Sequence, residues 1–218
     1  MRELWLVEGL PGAGKTTTAE QLCVAAISEG WAARWWLEEA KDHPVLPSRL
    51  RARSFEPGFP DLCLEAFDQF LGREEGVLIL EGAAFQNTVR FMFANDAARS
   101  AIEGYVAAWA EVVSSPTTRL AMLTVANPLE HYRDFVLARR GEAWMRKLVA
   151  YVEATPVAQR KDWAGLTGFV QFWSDYQALC RDLVGGLPFE TLTFAARPAR
   201  ADGLAKEILD FFGLPRAR

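Results

Sequence analysis

The stretch Leu4-Trp5-Leu6-Val7-Glu8-Gly9-Leu10-Pro11-Gly12-Ala13-Gly14-Lys15-Thr16-Thr17-Thr18-Ala19-Glu20 decides how this chain folds. Leu4 to Val7 are apolar without a break, which suits a strand buried on both faces of a parallel sheet. From Thr16 to Ser28, Ala19, Leu22, Cys23, Ala26 and Ile27 recur at helical spacing, and Gly30 ends the run. Between strand and helix, Gly9 to Thr16 fits GxxxxGK[ST] at every fixed position. At ordinary glycine usage the bare pattern arises in roughly 1% of chains this long. The strand before it and the helix after it are the context that gives it meaning.

The chemistry behind the pattern is the charge of a triphosphate. Several negative oxygens need converging backbone N–H groups, and glycine lets the chain wrap closely with φ > 0. The helix that opens near Lys15 points its positive end at the same place. Gly9, Pro11, Gly12, Ala13, Gly14, Lys15, Thr16 and Thr17 are therefore the expected cradle for ATP. Lys15 reaches the β- and γ-phosphates, and the Thr16 hydroxyl is placed to hold Mg²⁺.

Working outward, Ala32 to Leu37 reads as a second strand ending in Glu38-Glu39, and Val77-Leu78-Ile79-Leu80 as a third ending in Glu81-Gly82. Leu120 to Val125 and Phe189 to Phe194 complete five strands. Helices are expected over Leu62 to Leu71, over much of Phe85 to Val113, over Pro128 to Arg140 behind an Asn127 cap, and over Leu204 to Phe212. Strands alternating with helices predict a three-layer α/β fold, a five-stranded parallel sheet flanked by helices. We read residues 1–218 as one domain with its core in 1–40, 76–135 and 188–213. Substrate-side insertions fall at about 41–75 and 85–115, and a helical lid insertion at about 138–187. Asp42 to Pro60, with four prolines and three arginines, reads as a mobile loop.

Composition narrows the partners. Half of the 218 residues are hydrophobic and 24% are charged, so a sizeable core forms without disulfides. A net charge of −4 gives no global basic footprint for nucleic acid. No run of eighteen apolar residues predicts a membrane span. Cys23, Cys63 and Cys180 are odd in number and far apart, which fits buried reduced thiols and a cytoplasmic location. The expected partner is a small-molecule substrate, with the protein itself a monomer or homodimer.

Val7-Glu8-Gly9 through Lys15-Thr16-Thr17 resembles the opening of thymidylate kinases and related nucleoside and nucleotide kinases. Leu80-Glu81 at a strand end is similar to that family's acidic strand terminus. Asn127-Pro128 through Arg133 to Arg139-Arg140-Gly141 is similar to its entry into the lid. The likeness covers about the core third of the chain and implies the P-loop kinase fold with ATP and Mg²⁺ as cofactors. One position departs: thymidylate kinases carry Asp-Arg where this chain has Glu81-Gly82, and Arg90 is the substitute on offer.

Phosphoryl transfer asks for positioning and charge neutralisation. Glu81 ends a strand at the edge of a parallel sheet where ligands gather, and is the expected second metal residue. Glu38 or Glu39 is the expected base. In deoxynucleoside kinases, which this region resembles, a Glu at that location takes the acceptor's proton. Adjacent strand residues face opposite sides, and spacing does not choose between the two. Asp42 is a weaker alternative. Arg139 and Arg140 would clamp phosphate from the lid, and Arg133 on the same helix equally well caps a helix dipole. Phe85 and Gln86 would present a ring and an amide to a planar substrate, and Arg90, one or two turns into the following helix, would help to hold it. Of eight tryptophans, Trp109, Trp144 and Trp173 fall on amphipathic helices as core or groove residues.

The function these residues imply is ATP- and Mg²⁺-dependent phosphorylation of a nucleoside, nucleotide or other hydroxyl compound. The alternative is a regulatory or mechanical ATPase with no acceptor. Against a GTPase, Asn127-Pro128-Leu129-Glu130 lacks the Lys and Asp that read guanine, and no Leu-Ser-Gly-Gly signature of a transport ATPase occurs.

Overall fold

Strand β1 (Arg2–Gly9) lies in the middle of the sheet, with residues 3–9 all buried. The computed structural model describes residues 2–115, 117–196 and 201–213. Residues 197–200 of the expected core segment 188–213 lie outside these. Strands β2 (Ala33–Trp36), β3 (Gly76–Glu81), β4 (Thr118–Thr124) and β5 (Glu190–Ala195) complete a sheet ordered β2-β3-β1-β4-β5. Every pairing is parallel. This is the five-stranded parallel sheet that the sequence predicts. Because β1 and Val77 to Glu81 of β3 are buried throughout, helices must cover both faces. The edge strands β2 and β5 are partly exposed.

Helix α1 (Lys15–Ser28) follows β1 directly. Between β2 and β3 come α2 (Ser48–Arg51) and α3 (Phe59–Leu71). After β3 a π-helical turn, Ala84–Val89, runs into α4 (Arg90–Ala94), and α5 (Arg99–Val113) follows. After β4 a helical stretch consists of α6 (Pro128–Glu130), a second π-helical turn His131–Val136, and α7 (Leu137–Arg140). It starts where predicted, with the Asn127 side chain accepting the amides of Leu129 at 3.0 Å and Glu130 at 3.3 Å. Then come α8 (Glu142–Glu153), α9 (Pro156–Arg160) and α10 (Gly165–Val184), and α11 (Ala201–Phe212) closes the chain.

Aromatic side chains fasten these helices to the sheet. Trp5 of β1 stacks on Phe212 of α11 at 4.9 Å between ring centres. Trp109 of α5 meets Phe67 at 6.0 Å, Phe85 at 5.8 Å and Phe189 at 5.9 Å. Trp173 of α10 packs edge-on against Phe169 and Phe172. Such rings carry most of the apolar area of a core. Cys23, Cys63 and Cys180 are free and buried.

The segment 42–60, read from sequence as a mobile loop, is tied down and holds α2. Its anchor is His43, 1% exposed, whose Nδ1 accepts the amides of Val45 at 3.3 Å and Leu46 at 3.1 Å. Arg51 donates to the carbonyl oxygens of Glu38 and Leu46. The prolines that suggested a loop are present, but a histidine acting as a turn acceptor leaves no mark that sequence reading recognises.

Burial, reinforced by the nearby Arg51 charge, pushes the His43 pKa down from 6.5 to about 4. The folded protein therefore holds His43 neutral where the unfolded chain binds a proton. Stability from this group is complete above pH 6.5 and is lost as pH falls through 4. Between pH 7 and pH 4 the wild type should lose about 3 kcal/mol more unfolding free energy than His43→Asn, whose side-chain oxygen can take the same two amides. Urea unfolding at both pH values measures this. Parallel pH dependences would show that His43 is not held neutral.

Candidate active site

The carboxyl ends of β1, β3 and β2 deliver the loop, Glu81 and Glu38 to one edge of the sheet. The loop enters α1 through Gly14, whose φ of +97° is a conformation that glycine adopts without strain. No side chain caps this helix and no acidic residue lies in its first turn. Its opening N–H groups therefore have no side-chain oxygen to satisfy them, as an anion site requires.

Lys15 is 6% exposed. Its Nζ donates to the carbonyl oxygen of Leu10 at 3.3 Å and to Oε1 of Gln86 at 3.4 Å, and lies 3.7 Å from Oε2 of Glu38. The Thr16 hydroxyl donates to Oε1 of Glu81 at 3.0 Å, and the same oxygen accepts the Glu38 amide at 3.1 Å. Oε2 of Glu81 is buried with no partner among the described residues. Burial raises the proton affinity of Glu81, against the pull of the Glu38 amide, Thr16 and Lys15. Burial likewise raises the Glu38 pKa, while Lys15, Arg90 and Arg51 draw it back.

Gly82 explains how Glu38 comes so close. Its φ is +59°, and a Cβ there would sit 2.6 Å from Oε2 of Glu38. A residue without a side chain is needed for both reasons.

A cleft of about 500 Å³ opens above these groups. One wall holds Lys15, Thr16, Thr17, Glu38, Glu39 and Gln86, with Pro11, Gly12 and Gly14 of the loop. The other holds Val136, Arg139, Arg140 and Trp144, and the Arg140 guanidinium lies 5.8 Å above the Trp144 ring. The arginines predicted for a lid thus line the same cleft as the loop. Glu39 is exposed, whereas the Glu38 side chain is 20% exposed and turned toward Lys15. Asp42 is exposed and Arg133 lines a different groove with Glu142 and Met145. Gly9 ends β1, and Ala13 is buried beneath the loop.

Phe85 requires a correction. Its ring is 1% exposed and meets Trp109 edge-on, so it belongs to the core and offers no face to a substrate. One residue of helix separates Phe85 from Gln86, and that rotation sends the amide to the cleft and the ring to the interior. Arg90 is placed behind the cleft wall. Its Nε donates to the Gln86 carbonyl oxygen at 2.7 Å and its Nη1 to the Tyr151 hydroxyl at 2.6 Å.

Two residues escaped sequence reading. Glu8 is fully buried, and its oxygens accept the amides of Ala84 at 2.8 Å and Gln86 at 3.1 Å. An acid following the apolar run Leu4 to Val7 was the available signal. His131 in the second π-helical turn makes a 3.0 Å bond from Nε2 to the Pro11 carbonyl oxygen, which tethers the loop to the helical stretch after β4. Nothing in the sequence marks it.

No family model matches the chain, and no curated protein is similar to it. Solved structures are. Shikimate kinase from Bacteroides thetaiotaomicron matches with a TM-score of 0.50 and 15% identity, covering 95% of this chain and 97% of that one. Deoxyadenosine kinase from M. mycoides, solved with bound dATP, matches with a TM-score of 0.50 and 15% identity, covering 95% and 99%. This chain has the fold of small P-loop kinases. What it shares with them is the sheet and its flanking helices.

The Gly82 geometry is testable in the ligand-free protein. Gly82→Ala should cost about 1–2 kcal/mol from its positive φ, roughly 2–8 °C in Tm. The Glu38 carboxylate, a flexible side-chain end, should swing away from Lys15 in the variant's crystal structure. An unmoved Glu38 would show that the contact does not require glycine.

Proposed function

We propose that this chain is a kinase that transfers the γ-phosphoryl group of ATP to a small-molecule acceptor. The observation that carries this reading is the meeting of Lys15 with the Glu38 carboxylate, 3.7 Å apart, in one cleft with Thr16, whose hydroxyl donates to the buried Glu81. A loop that merely bound nucleotide would not need a second buried acid reaching the phosphate lysine.

The residues present suit Mg²⁺. Among the described residues no group of three or more His, Cys, Asp or Glu forms a metal cage. Mg²⁺ rarely uses one, preferring one or two protein oxygens together with phosphate and water. The Thr16 hydroxyl and the Glu81 carboxylate, with its unpartnered Oε2, are the oxygens that would hold it. When bound, the ion would neutralise charge on the phosphates.

The protein's own part is then positioning. The opening amides of α1 and the Lys15 ammonium hold the terminal phosphates in line with the acceptor. Glu38 orients the acceptor hydroxyl and takes its proton as the new O–P bond forms and the bond to ADP breaks. Arg139 and Arg140 approach the migrating group from the opposite wall as the lid closes. Glu39, exposed at the rim, is available to the acceptor rather than to the phosphates.

The test is ATP consumption against a panel of nucleosides, nucleotides and small alcohols. An acceptor from the panel should raise turnover. Lys15→Ala should then lower kcat/KM by about 100-fold or more, and Glu38→Gln should lower kcat by about 100-fold with little change in KM for ATP. Because Glu38 is raised by burial, the acid limb of the wild-type profile should lie above its ordinary value of 4.5. If no acceptor raises turnover and Lys15→Ala leaves basal hydrolysis unchanged, the kinase reading fails. Basal hydrolysis that depends on Lys15 without any acceptor would point instead to an ATPase.

A further inference from the structure

We propose that Glu8 is a positioning residue, which places the Lys15 ammonium in the cleft by gripping the backbone of Gln86. The inference rests on the kinase reading for its consequence and on geometry alone for its substance.

The chain of contacts has two steps. Glu8 lies on β1 one residue before the loop, and its side chain reaches across to the π-helical turn. Its two oxygens take the amides of Ala84 and Gln86, at 2.8 and 3.1 Å. Gln86 in turn presents its side-chain oxygen to Nζ of Lys15 at 3.4 Å. Residue 86 is therefore held at its backbone by Glu8 and touches Lys15 with its tip. Two further bonds stiffen the turn. Arg90 donates to the Gln86 carbonyl oxygen at 2.7 Å, and the Tyr176 hydroxyl donates to that of Phe85.

An ordinary helix cap does not account for this arrangement. Helix starts are capped by a neighbouring Ser, Thr, Asp or Asn. Here the residue before the turn is Ala83, with no side-chain cap, and the cap comes from the central strand. A buried carboxylate is an expensive way to satisfy two amides. The groups around it offer little else: Lys15 on α1 is its cation, and Glu38, Tyr105 of α5, and Tyr176 and Cys180 of α10 are its other charged or titratable neighbours. What the carboxylate achieves beyond capping is to make the loop strand and the turn that touches Lys15 one rigid unit. A displacement of about 1 Å at a group touching phosphate lowers a rate by about 100-fold, so the position of Gln86 matters.

Acetylation of Lys15 by acetic anhydride, read by mass spectrometry in the ligand-free protein, tests this without turnover. The other lysines, Lys41, Lys147, Lys161 and Lys206, serve as internal references. Glu8→Gln keeps the shape but turns one acceptor oxygen into a donor, and Gln86→Leu removes the contact to Lys15 while keeping the bulk. Both should change the Lys15 rate at least about threefold and leave the references alone. On an accepted substrate, each should lower kcat by about tenfold or more with KM for ATP within about threefold. The double variant should be no worse than the poorer single, because both act through one contact. Unchanged Lys15 reactivity in the variants, or losses that multiply in the double, would overturn the proposal. If Glu8→Gln does not fold, Gln86→Leu decides alone, and an unaltered Lys15 rate in it is enough to overturn. A wild-type protein without kinase activity would remove the kinase reading and leave the acetylation result to stand by itself.

Discussion

The structure depends on the burial of β1 between β3 and β4 in a parallel sheet. Parallel strands all end at one edge, so whatever follows their last residues is delivered to the same place. The register then decides which residues meet. Val7 lies opposite Glu81, and Trp36 opposite Leu80. Two residues beyond Trp36 is Glu38, and two beyond Leu80 is Gly82, the pair found in close contact. A slip of one residue in either strand would turn these carboxylates to the other face of the sheet. The apolar residues that drive the sheet together are thus also the gauge that sets the distance between Lys15 and its acids.

That edge concentrates negative charge in a poor solvent for it. Glu8, Glu38 and Glu81 are each raised by burial, Glu8 to about 7, and Lys15 opposes the shift in all three. Lys15 is the cation common to all three, with Arg51 and Arg90 acting on Glu38 as well, so Glu8 and Glu81 have the smaller share of positive charge. Such a deficit is costly in an isolated protein and becomes useful where a cation is to be received. The unpartnered oxygen of Glu81 lies at the point of that deficit nearest Thr16.

Much of the fold could be read from the sequence because burial on both faces leaves an unbroken apolar run, as at Leu4 to Val7 and Val77 to Leu80. The loop was readable because phosphate binding demands glycines and a lysine at fixed spacing. The helical stretch after β4 announced itself through Asn127-Pro128. The two π-helical turns left no such trace, since a shift of one backbone hydrogen bond needs no special residue type. Yet those turns carry Gln86 to the cleft and His131 to the loop. Phe85 was misassigned for a related reason. An aromatic and an amide side by side can exchange roles with a small rotation of the helix, and only the position of Trp109 shows which one faces inward. Glu8 stood in plain view as an acid closing an apolar run, but its partners lie more than seventy residues away.

The residue after the β3 acid is where this chain parts from the thymidylate kinases that its loop resembles, and the structure shows what stands against a side chain there. An arginine at position 82 would carry its Cβ into the carboxylate of Glu38. The chain can keep the arginine after its strand acid or bring Glu38 against Lys15, and it does the second. Positive charge then has to reach Glu38 from elsewhere. Arg51 comes from the segment anchored by His43, and Arg90 from the helix behind Gln86; both lower the proton affinity of Glu38. Two arginines on separate elements thus act on one carboxylate. Their spacing follows from how those elements pack, which is why no short motif in the sequence reports it.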